Sequence, residues 1–87
     1  MKLTLLSGAS CIKCKYLKSK LLPYIEEHVD KIEYHELDAQ TPEARPLIEK
    51  YRIMSLPFVL VQKGEVEKKF CGDINYFELI GEIEKFF

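Results

Sequence analysis

Cys11-Ile12-Lys13-Cys14 is the stretch of this chain whose residue types and spacing carry chemistry of their own. In helical geometry, Cα atoms three positions apart lie roughly 5 Å from one another, inside the span that a disulfide bridges without moving the backbone. The pair can therefore cycle between dithiol and disulfide. A helix beginning here would also aim its unpaired N–H groups and the positive end of its dipole at Cys11. Both favour the thiolate, which is the species that attacks a disulfide. Lys13 and Lys15 add positive charge nearby. Cys11 is accordingly the expected nucleophile, and Cys14, one turn further in, the expected resolving thiol that releases a mixed disulfide by attacking Cys11.

The elements around the motif must hold it at a strand-to-helix junction. Lys2 to Ser7 is short, apolar and Leu-rich, as a strand buried on both faces would be, and Gly8-Ala9-Ser10 forms a turn with Ser10 as a helix cap. From Cys11 onward Cys14, Leu17, Leu21, Tyr24 and Ile25 recur at spacings of three and four, which predicts an amphipathic helix that Pro23 kinks or divides. Lys31 to Leu37 reads as a second strand with Ile32, Tyr34 and Glu36 on one side. Thr41-Pro42 opens a second helix, distorted at Arg45-Pro46, with Leu47, Ile48 and Tyr51 as its stripe. Leu56 to Gln62 and Glu65 to Phe70, joined at Lys63-Gly64, form a hairpin. Asp73 caps a last helix carrying Phe77, Ile80, Ile83 and Phe87. The order β-α-β-α-β-β-α, with a crossover helix and a tight hairpin, implies a mixed four-stranded sheet covered by helices, an α/β fold.

Eighty-seven residues with 47% hydrophobic and 31% charged content suit one domain over 1–87, too short for two cores. Thirteen Lys and Arg against 14 Asp and Glu leave a net charge of −1, so neither nucleic acid nor an anionic membrane surface is an expected partner. The apolar start is too short for a signal-peptide core, and three cysteines make no multi-bridge scaffold, so the cytoplasm is the expected compartment. A structural zinc site needs four ligands, and one CxxC with a distant Cys71, His28 and His35 matches no usual spacing, so no metal is expected.

The chain resembles small thioredoxin-fold proteins of the glutaredoxin and short-thioredoxin type over essentially its whole length. The strand-turn-helix CxxC, the Ser55-Leu56-Pro57 segment and Phe70-Cys71-Gly72-Asp73 carry the resemblance together. It implies a thioredoxin-like fold and a thiol-disulfide oxidoreductase acting on protein or small disulfides without a bound cofactor. It also implies a cis peptide bond before Pro57, with the Leu56 backbone pairing with substrate, and an anion-binding loop at Gly72 and Asp73. Lys13 and Cys71 become modulators of the site. A proline opening a strand does leave backbone groups free for another chain.

Departures from the family narrow the expectation. Ser10 stands where thioredoxins usually have Trp, Ile12-Lys13 where they have Gly-Pro, and Leu5 where they bury an acid six positions before the first cysteine. Gly8 stands where glutaredoxins often place the Lys or Arg that meets a glutathione carboxylate. A flavin-containing disulfide reductase is therefore the expected electron donor, with glutathione the alternative, and a monomer the expected state. The competing reading of the same thiolates is a metal or iron-sulfur cluster carrier; a third is a partner-binding module without redox work. Cys71 reads as a small buried residue at a strand end or as a third redox thiol.

Overall fold

The computed structural model describes Met1–Phe87. Its elements run β1 (Lys2–Ser7), α1 (Ile12–Glu27), β2 (Glu33–Asp38), a 3-10 turn (Pro42–Ala44), α2 (Arg45–Tyr51), β3 (Phe58–Lys63), β4 (Val66–Cys71) and α3 (Tyr76–Glu84). The sheet order is β2-β1-β3-β4; β1 and β2 are parallel, whereas β1 with β3 and β3 with β4 are antiparallel. This is the mixed four-stranded α/β architecture expected from the sequence.

Apolar periodicity decides the layers. Leu3 and Leu5 of β1 and Val59 and Val61 of β3 face Leu17, Leu21 and Ile25 of α1 and Leu79 and Ile83 of α3 in one core. Leu6, Phe58 and Leu60 face the other way, onto Ala44, Leu47, Ile48 and Tyr51 beside α2. With both faces covered, β1 is apolar almost throughout, as a two-sided buried strand must be.

Five local expectations are corrected. Helix α1 runs unbroken through Pro23, because Leu21 and Ile25 on either side are buried and each stabilises by about 1.5–3 kcal/mol, enough to offset the lost hydrogen bond. Its N-cap is Cys11 instead of Ser10, with Cys11 Sγ accepting from the Cys14 N–H at 3.1 Å. The cap of α3 is Asn75 instead of Asp73: Asn75 Oδ1 accepts from the Glu78 N–H at 3.1 Å. Phe77 is 75% exposed, since Leu79 and Ile83 share the buried face and Phe77 stands roughly 160° round the helix from Leu79. Strand β2 begins two residues later than the sequence pattern places it, with Ile32 buried just ahead of it.

Candidate active site

Strand β1 ends at Ser7, and the chain turns through Gly8 so that the Cys11 N–H donates to the Gly8 carbonyl at 3.3 Å. A Cβ on Gly8 would sit 3.1 Å from Leu56 Cδ1, so a small residue lets the loop before β3 approach the dithiol. Cys11 and Cys14 are joined in a disulfide with Cα atoms 5.2 Å apart, inside the range anticipated from helical spacing. The two sulfurs are not equivalent. Cys14 is 2% exposed and packs in the interior, whereas Cys11 is half-buried at the helix start.

Opposite the dithiol, the Leu56–Pro57 peptide is cis. The Pro57 carbonyl accepts from the Gly72 N–H at 3.0 Å, which ties the loop ahead of β3 to the end of β4. No hydrogen bond engages the Leu56 backbone. Gly72 has φ of 78°, a conformation that favours glycine, and it turns the chain from β4 towards α3. Between these segments lies a groove of about 470 Å³ lined by Ile12, Lys13, Tyr16, Pro57, Gly72 and Asp73. Lys13 Nζ meets Asp73 Oδ1 at 2.6 Å across the groove; both side chains are largely exposed, so the pair adds little stability.

Cys71 is exposed, which corrects its reading as a buried residue. It ends β4, and Cys71 Sγ lies 3.1 Å from Ser55 Oγ and 3.4 Å from the Ser55 carbonyl oxygen, beside the Pro57 loop. The register that pairs Cys71 with Phe58 brings it there, and residue type alone gave no sign of it.

On the other side of Cys14 is a smaller cavity, about 260 Å³, lined by Gly8, Cys14, Lys15, Lys18, Glu36 and Asp38. Glu36 is held from both oxygens, by Lys18 Nζ at 2.6 Å and by the Tyr34 hydroxyl at 2.9 Å. Burial first, and then the Glu36 carboxylate, push the Tyr34 hydroxyl above its ordinary value. Asp38 is occupied in a turn, accepting from the Gln40 N–H at 2.9 Å. Sequence reading missed this charged wall, because the three residues come from α1 and β2 and meet only when β1 and β2 pair. Leu5, register partner of Glu36, is wholly buried in the core.

The order of the elements and the dithiol at the start of α1 define a thioredoxin-fold chain. Solved structures bear this out. The chain is similar to thioredoxin 1 of Thermosipho africanus, with 22% identity and a TM-score of 0.80 over 99% of this chain and 93% of that one. It is similar also to oxidised thioredoxin O1 of Arabidopsis thaliana, with 18% identity and a TM-score of 0.82 over 97% and 75%. Fasciola hepatica thioredoxin matches with 20% identity and a TM-score of 0.80 over 97% and 78%. No protein-family model matches the sequence, and neither does any curated protein. At these identities the likeness is one of fold.

Proposed function

We propose that this protein is a thiol-disulfide oxidoreductase that reduces protein or small disulfides. The carrying observation is the unequal pair: a half-buried Cys11 at the N-cap of α1, bonded to a buried Cys14, with a groove that begins at the adjacent Ile12. In the reduced protein the Cys11 thiolate, favoured by the helix N-terminus, attacks one sulfur of a substrate disulfide. That bond breaks, the first substrate thiolate leaves and takes up a proton, and a Cys11–substrate disulfide forms. Cys14 then loses its proton and attacks Cys11 Sγ. The mixed disulfide breaks, the second substrate thiolate leaves and is protonated, and the Cys11–Cys14 bond is restored. Two electrons have passed from the dithiol to the substrate.

Leu56 and Pro57 border the path of the incoming chain, and the unengaged Leu56 backbone offers hydrogen bonds to it. Gly72 and Asp73 form its far wall, and Lys13 and Cys71 modulate its edge. A flavin disulfide reductase, with glutathione as the alternative, returns two electrons to the pair. A monomer working in the reducing cytoplasm fits this reading. Equilibration across thiol-disulfide buffers, with thiols trapped and mapped by mass spectrometry, tests it. A reversible Cys11–Cys14 couple near about −270 mV is the expected result for a reductant, and a value near about −120 mV marks an oxidant. A pair that never bridges at any poise sinks the redox reading, and cysteine-dependent metal retention in that protein would install the carrier reading.

A further inference from the structure

Large exposed apolar side chains scattered singly need no explanation, but three of them in this protein form one surface running from the groove that Ile12 and Tyr16 line. Ile12 (82% exposed) and Tyr16 (62%) stand on the outer side of α1, and Phe77 (75%) on the first turn of α3. Lys20, one turn beyond Tyr16, joins them: its Nζ lies 4.9 Å from the Tyr16 ring centre and 6.0 Å from those of Tyr76 and Phe77. Tyr76 and Phe77 meet edge to face at 5.5 Å. Lys13 and Lys18 on the same helix each have a carboxylate, whereas no carboxylate pairs with Lys20. An unneutralised ammonium nested in aromatic faces is thus continuous, through Tyr16, with the groove whose lining begins at Ile12, the residue next to Cys11.

We propose, resting on the redox reading above, that Tyr16, Lys20 and Phe77 are a second contact point for polypeptide substrates, taking an apolar side chain beside a carboxylate. The aromatic faces accept the apolar side chain, and Lys20 pairs with the Asp or Glu next to it. The helix sets the spacing. Lys20 is nine residues beyond Cys11, about 13 Å at ~1.5 Å per residue. An extended chain advances about 3.3 Å per residue, so the carboxylate falls roughly four residues from the reacting cysteine. A disulfide of low molecular weight cannot span that distance, and the contact therefore separates polypeptide from small substrates. Tyr16 and Phe77 bury little of themselves in the folded protein, so truncating either leaves the core intact.

The test uses peptides with one cysteine, each activated as a mixed disulfide with a chromophoric thiol, carrying Leu-Glu, Leu-Lys or Ser-Ser three to five residues to either side. Each peptide's kcat/KM with the reduced protein is divided by the same protein's value on bis(2-hydroxyethyl) disulfide. The Leu-Glu peptide on one side should exceed the Leu-Lys peptide by about fivefold or more at low salt, and lose most of that margin at high salt. Lys20→Gln should erase the Glu-over-Lys preference, and Phe77→Ser the preference for Leu-Glu over Ser-Ser. Reduction of all peptides at matching rates, or preferences that survive both substitutions, overturns this inference alone. Failure of the wild-type protein to reduce any disulfide overturns the redox reading and this inference with it.

Discussion

Exposure distinguishes two chemically identical side chains. Cys11 is half-buried and caps the helix, while Cys14 is almost wholly buried and bonded to its neighbour three residues away. Replacing Cys14 with Ser should therefore leave the first attack intact and strand the protein as a one-to-one mixed disulfide with its substrate, visible by mass spectrometry. Cys11→Ser should give no adduct and no turnover. An adduct on Cys14 in the Cys11→Ser protein, formed as fast as on Cys11 in the converse variant, would reverse the assigned order. Lys13 and Asp73 meet across the groove, and their exposure makes the pair a matter of charge there rather than of stability.

Among the elements, α1 and α3 each carry a feature with a measurable energy. Pro23 is exposed inside α1 and removes one backbone donor from a helix that runs through it unbroken. Pro23→Ala should raise stability in denaturant titration by about 1–3 kcal/mol, with helical content unchanged or higher. A loss of stability would mean that the proline fits this helix better than alanine does. Asn75 supplies the one side-chain cap of α3, and Asn75→Ala should cost about 1 kcal/mol. Asp73→Ala, at the position first read as the cap, should move stability by less than about 0.5 kcal/mol. Equal effects of the two substitutions would contradict the observed cap.

At the scale of the whole molecule, two tyrosines, on α1 and β2, are held protonated by burial and a neighbouring carboxylate. Burial, followed by the Glu84 carboxylate at 3.0 Å, pushes Tyr24 up to about 12, and Tyr34 is raised by burial and by Glu36. Both hold their protons more tightly in the folded chain than in the unfolded one, where tyrosine titrates near about 10. Their contribution is fully present below pH about 10 and is lost as pH rises from there towards 12. Stability should accordingly fall steeply over that window, and the double change of Tyr24→Phe and Tyr34→Phe should flatten the fall. An unchanged slope in the double variant would show that other groups govern alkaline unfolding.

Short-range chemistry was legible in the chain from the start. The CxxC spacing needs only helical geometry, the Leu-rich β1 announces burial on two faces, and Lys63-Gly64 announces a hairpin, because each depends on residues a few positions apart. Helix boundaries were less legible. Ser10, Cys11, Asp73 and Asn75 can all cap, and the choice among neighbouring caps follows from which helix face the sheet buries. Three things belong to the tertiary structure alone: the exposure of Cys71 beside Ser55, the Lys18–Glu36–Tyr34 wall behind Cys14, and the aromatic nest around Lys20. Each joins side chains from separate elements, and their distances depend on strand register and helix packing, which no local pattern encodes.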